Sequence, residues 1–70
     1  MDEKILKQNI ERLDISDNAI NILKENKIKT IGGLCKKSKS DLRELNIIQY
    51  DINKIEIELQ LLGLDLKARN

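Results

Sequence analysis

The feature that most constrains this chain is a series of branched aliphatic residues near its end. Ile48, Ile52, Ile55, Leu59 and Leu62 follow one another at steps of four, three, four and three. That spacing returns each side chain to one side of an α-helix, so it predicts a helix over 48–62 with a core-facing stripe. Gly63 follows as its C-cap, and Leu64 and Leu66 are placed to fold back over the core.

Upstream, shorter helices are signalled by their caps. Ser16 offers an N-cap to a helix over 17–27, on which Ala19, Ile22, Leu23 and Asn26 recur at helical spacing. Thr30 caps the next, with Ile31 and Leu34 as inward anchors, and Gly32 and Gly33 allow a neighbouring backbone to come close. Ser38 or Ser40 then caps a short turn carrying Leu42 and Leu45. The segment 2–9 is polar apart from Ile5 and Leu6, and is too short to be helical unless it docks on something. With 70 residues, 40% of them hydrophobic and only 1% aromatic, there is material for one core built of Ile and Leu. The expected fold is all-α, a compact bundle of four to five short helices. It forms a single domain, with an N-terminal helix or arm over 1–12 and a helical body over 13–70.

The same residues exclude most chemistry. There is no His, and the lone Cys35 can form no internal disulfide and no zinc site by itself. Cys35 reads as a half-buried small apolar residue, the alternative being a thiol activated by Lys36 and Lys37. Glu56 and Glu58 diverge on a helix and cannot share a proton, and no glycine-rich phosphate loop is present. No catalytic role, cofactor or metal is expected. No apolar run approaches the ~18 residues of a membrane span, and the start MDEKILKQNI lacks the pattern of a signal peptide. The chain is therefore expected in the cytosol, away from membranes. Met1 and the polar Lys-Ala-Arg-Asn end suit a complete small protein, and an excised domain could look the same.

Net charge is only +1, but it is unevenly spread. Residues 24–39 hold Lys24, Lys27, Lys29, Lys36, Lys37 and Lys39 against Glu25 alone. Residues 41–65 hold Asp41, Glu44, Asp51, Glu56, Glu58 and Asp65 against Arg43 and Lys54. Such a run is either a solvated face or a contact for nucleic acid or an acidic partner.

The last helix carries more apolar residues than one face uses. Tyr50, Ile57 and Leu61 cluster opposite the core stripe, with Lys54 among them. Either the N-terminal segment crosses this side and sets Ile5, Leu6 or Ile10 against Ile57 and Leu61, or the side binds a protein, a second copy included.

From about Leu13 to Leu66 the chain resembles the C-terminal domain of the bacterial RNA polymerase alpha subunit. The matching stretches are NAINILKENKIKTIGGL (residues 18–34), the Asp41-Leu42 helix and the closing Leu-Gly-Leu-Asp-Leu (residues 62–66). The resemblance implies four or five short helices related to helix-hairpin-helix modules, minor-groove binding to AT-rich promoter DNA, and docking of transcription regulators. Asn21 and Lys24 sit where the family has a DNA-contacting asparagine and a nearby lysine, whereas its minor-groove arginine aligns with Asn18. The family's Gly-Lys-Lys-Ser-like turn opening the last helix reads Ile48-Gln49-Tyr50-Asp51 here, and Asp51 is expected to repel phosphate.

Together these features predict a non-catalytic, transcription-related binding module. Its protein interface is expected at Tyr50, Ile57 and Leu61, for the transcription machinery, a regulator or a homodimer. The alternative is weak, non-specific nucleic-acid binding through Asn21, Lys24, Lys36 and Lys37 in the basic region.

Overall fold

The computed structural model describes residues 3–67, and for Glu3 its backbone only. Five α-helices and one 3-10 turn follow in order: α1 (Glu3–Leu6), the 3-10 turn (Ile10–Arg12), α2 (Asp17–Glu25), α3 (Ile31–Cys35), α4 (Lys39–Glu44) and α5 (Gln49–Leu61). No strand occurs among the described residues. Asn9 and Thr30 form an isolated bridge, in which Ile10 N donates to Lys29 O at 3.0 Å and Ile31 N to Gln8 O at 2.9 Å. The expected positions of Asp2 and of the Lys-Ala-Arg-Asn end beyond Lys67 lie outside the described residues.

Each middle helix starts on the hydroxyl its sequence offers. Ser16 Oγ accepts from Ala19 N at 3.1 Å, and Thr30 Oγ1 accepts from Gly33 N at 3.1 Å. Ser38, rather than Ser40, caps α4: its Oγ accepts from Asp41 N at 3.2 Å while Asp41 Oδ2 accepts from Ser38 N at 3.0 Å. These bonds satisfy donors that have no partner inside the helix.

The helix ends share one device. α2, α4 and α5 each stop at a residue with positive φ, namely Lys27 (65°), Asn46 (71°) and Gly63 (79°). The next residue then bonds back: Ile28 N to Leu23 O at 2.8 Å, Ile47 N to Leu42 O at 3.2 Å and Leu64 N to Leu59 O at 2.8 Å. The helix expected to reach Lys27 therefore ends at Glu25. Because the residue after each turn is Ile or Leu, every reversal also returns an aliphatic side chain to the core.

That core is almost wholly Ile and Leu, including Ile10, Leu13, Leu23, Ile31, Leu34, Leu42, Ile52, Ile55 and Leu59, with Leu66 closing over it. Ile48 was expected to begin the stripe on α5, but the structure corrects this. It is the N-cap in extended backbone (φ −69°, ψ 155°), its side chain is 57% exposed, and Ile47 occupies the interior position instead.

The N-terminal segment also departs from the arrangement that would cover α5. α1 packs on α3, and a Cβ added at Gly32 would lie 3.0 Å from Leu6 O. Gly32 thus admits α1 at close range, and Ile57 and Leu61 stay exposed.

Candidate functional site

Two surfaces contain most of the residues singled out in the sequence. On α2, Asn21 and Lys24 are three residues apart and line one shallow depression with Glu11, Asp17 and Ile20. Glu11 comes from the 3-10 turn, and its carboxylate forms an ion pair with Lys24 Nζ. The only cation lining the depression is thus matched by Glu11, with Asp17 beside it, so the surface attracts an anion poorly. Asn18 and Asn21 are exposed.

Lys36 and Lys37 are elsewhere. Lys36 is the exposed C-cap of α3, and Lys37 O accepts from Lys67 N at 2.9 Å. Neither lines the α2 depression. Lys39, from the same basic region, has its Nζ 3.0 Å from Glu56 on α5. Folding therefore sets Lys39 against the acidic part of the sequence.

Cys35 is half-buried, and its thiol is pushed above the ordinary cysteine value, first by burial and then by the negative charge of Asp65. Activation by Lys36 and Lys37 is not what the structure produces. Asp51 differs from its expectation too. It is only 4% exposed, and Ser16 Oγ donates to its Oδ2 at 3.1 Å. The carboxylate ties the start of α5 to the cap of α2 and does not face an incoming phosphate.

The second surface is α5. Tyr50 is 73% exposed, Ile57 50% and Leu61 74%, on the side of the helix opposite Ile52, Ile55 and Leu59. Lys54 stands between them, its Nζ 3.8 Å from Asp14 Oδ2 and 3.9 Å from Glu58 Oε2. Exposed Ile48 lies at the same end of the helix as Tyr50. Among the described residues no helix is long and apolar enough to cross a membrane, and no cluster of three or more His, Cys, Asp or Glu could hold a metal ion.

Residues 1–61, which include both surfaces, match the model of a protein family described as the C terminal domain of the bacterial RNA polymerase alpha subunit. The protein belongs to this family. A DNA-directed RNA polymerase subunit alpha from Clostridium botulinum is 36% identical over 66 residues, covering 93% of this sequence and 21% of the relative. One from Corynebacterium glutamicum is 44% identical over 59 residues, covering 83% of this sequence and 18% of the relative. The protein thus spans about a fifth of the length of these relatives. Its helical architecture is that of an alpha C-terminal-like domain.

The sequence held no direct signal for the role of Glu11. The acid is thirteen positions from Lys24, and only the turn at Ile10–Arg12 brings the two together.

Proposed function

We propose that this protein is a non-catalytic, transcription-related binding module of the cytosol that engages protein through the α5 ridge rather than binding DNA strongly. The observation that carries this reading is the pairing of a bare ridge at Tyr50, Ile57 and Leu61 with a charge-matched α2 face. Exposed aromatic and aliphatic side chains in line on one helix suit a protein contact, since burying them removes apolar area from water with little polar desolvation. The α2 face offers a polyanion little. Phosphate binding draws its strength from releasing counterions as cations meet phosphates, and here Lys24 already has a carboxylate. The relatives are subunits of RNA polymerase, which makes the transcription machinery or one of its regulators the natural partner class.

The alternative function, weak non-specific nucleic-acid binding, would draw on Asn21, Lys24, Lys36 and Lys37 together with exposed Lys27 and Lys29 of the same basic region. One experiment separates the two. The labelled domain is titrated by NMR with a short AT-rich duplex at low and moderate salt, and separately with a purified bacterial RNA polymerase. The proposal expects resonances of Tyr50, Ile57 and Leu61 to respond to protein while those of Asn21, Lys24, Lys36 and Lys37 barely respond to DNA. Strong, salt-sensitive shifts at the lysines with a silent ridge would overturn it.

A further inference from the structure

We infer that the α1–α3 layer is a second docking surface, one for an acidic segment of a partner polypeptide, held by Lys4, Lys7, Lys29 and Lys36. The surface is separate from the α5 ridge and does not depend on it. What singles it out is where the acids of the protein go. Among the described residues, Lys24, Lys39 and Lys54 are the lysines with a carboxylate within ion-pair range, and the acids they meet are Glu11, Asp14, Glu56 and Glu58. Those acids belong to the 3-10 turn, the residues just after it, and α5. Lys4, Lys7, Lys29 and Lys36 are exposed and have no such partner.

The backbone brings these four together from distant parts of the sequence. The bridge between Asn9 and Thr30, with Ile31 N donating to Gln8 O at 2.9 Å and Ile10 N to Lys29 O at 3.0 Å, lays the segment after α1 beside the start of α3. Lys7 and Lys29 are thereby set at one end of the layer. α1 packs on α3 at Gly32, where an added Cβ would lie 3.0 Å from Leu6 O. At 100° per residue Lys36 falls about 40° around α3 from Gly32, so it stands on the side along which α1 lies. Glu25 at the end of α2 and Asp65 near Cys35 are acids at the margins of this layer. With the other carboxylates drawn to α2 and α5, the layer carries a positive field.

The chemistry of the layer favours carboxylates on a flexible chain over the phosphates of a nucleic acid. A phosphate is held best where backbone amides at a helix start stand open to it. At α3 those donors are spent, since Ile31 N bonds Gln8 O and Gly33 N bonds Thr30 Oγ1 at 3.1 Å. Bases need an aromatic side chain to stack on, and the one aromatic of the protein, Tyr50, is on α5. Half-buried Ile5 and Leu6 stand among the lysines and offer an aliphatic contact that a phosphate backbone does not use. Lys29 and Lys36 flank α3, roughly 10 Å apart along its axis at 1.5 Å per residue. In an extended chain at ~3.3 Å per residue, carboxylates three or four positions apart match that separation.

The test uses the whole protein and a short synthetic peptide with glutamate at every third position and leucine and serine between. Its glutamine counterpart and an oligothymidylate of equal charge are titrated in parallel, all followed by NMR. The expected result is a Kd on the order of 0.1–1 mM for the glutamate peptide at low salt, weakened several-fold at ~150 mM salt, where screening reaches within about 8 Å. Shifts should centre on Lys7, Lys29, Gly32 and Lys36, with no response to the glutamine peptide. Lys29→Gln with Lys36→Gln should weaken binding roughly five-fold or more, whereas Lys54→Gln and Ile57→Glu should leave it unchanged. Both layer substitutions change exposed side chains and spare the Lys29 carbonyl that bonds Ile10, so the fold is retained. Shifts spread as strongly over Lys24, Lys39 and Lys54, or an unaltered affinity in the double variant, overturn the site. Tighter binding of oligothymidylate than of the glutamate peptide at the same residues assigns the layer to nucleic acid and overturns the polypeptide partner.

Discussion

On α2 the functional candidates are charged and amide side chains, and on α5 they are an aromatic and two aliphatic ones; the fold treats the two sets differently. Lys24 finds Glu11 in the adjoining turn, and Asp17 sits in the same depression. Tyr50, Ile57 and Leu61 find no cover, because the one segment that could have crossed them, α1, is docked on α3 through Gly32. The difference teaches something about how a protein of 70 residues manages its surface. A charge is matched by a single opposing side chain, and a three-residue turn can supply it. An apolar ridge needs a whole segment laid across it, and this protein uses its spare segment to complete the core.

The sharpest way to break the comparison is to compare the two sides of α5 itself. Ile55 is fully buried and Ile57, two residues on, is half exposed. Ile55→Ala should cost about 2–5 kcal/mol, a large part of the stability of so small a domain. Ile57→Ala should cost less than about 1 kcal/mol while weakening association through the ridge. Urea titration followed by circular dichroism measures both. Comparable losses would mean that Ile57 packs within its own molecule, and the ridge would cease to be a binding surface.

Ser16 joins the two regions and comes next. Its hydroxyl caps α2 through Ala19 N and donates to the buried Asp51 at the start of α5. Ser16→Ala removes the cap and takes from a buried carboxylate its hydroxyl donor, for an expected loss of about 1–3 kcal/mol by thermal or urea unfolding. A change under about 0.5 kcal/mol would show that α2 and α5 are held by packing alone.

How much of this was legible in advance depends on how local the cause is. Ser16 and Thr30 as caps, the stripe Ile52–Ile55–Leu59 and the stop at Gly63 each follow from a few adjacent residues, and each is where the sequence places it, whereas the sequence left Ser38 and Ser40 open as the cap of α4 and the structure selects Ser38. The turns at Lys27 and Asn46 were not legible, because a left-handed conformation at a non-glycine residue is set by the Ile that follows entering the core. Ile48 and Ile47 were indistinguishable by composition, and the extended backbone at the cap decided between them. The ridge residues could be named from spacing alone, whereas their exposure depended on where α1 docks, a long-range choice. Asp51 and Glu11 were misjudged or missed because their partners, Ser16 and Lys24, are 35 and 13 positions away.

On the α2 side the comparison is sharpened by removing the acids. Glu11→Gln with Asp17→Asn should raise affinity for a short AT-rich duplex roughly three- to ten-fold at low salt and steepen the salt dependence by about one unit of slope, as Lys24 is released to phosphate. Fluorescence anisotropy across a salt series measures this, and Ile57→Glu serves as a control that should leave it unchanged. If the acid-free variant binds no better, the ion pair with Glu11 is not what restrains this face.

The smallest effect expected is at Cys35, and it probes the same rule of spatial against sequential neighbours. Lys36 and Lys37 follow it in sequence, yet burial and then Asp65 raise the thiol above its ordinary value. A raised value means a smaller thiolate fraction at pH 8, so alkylation by iodoacetamide should run slower than in a short peptide carrying the same Leu-Cys-Lys-Lys sequence. Asp65→Asn removes the repelling charge but not the burial, and it should recover about a two-fold gain in rate, leaving the remainder to desolvation. A rate in the intact domain equal to or above that of the peptide would mean that the two lysines govern the local field after all. The matching of lysines by acids argued for α2 would then not extend to the end of α3.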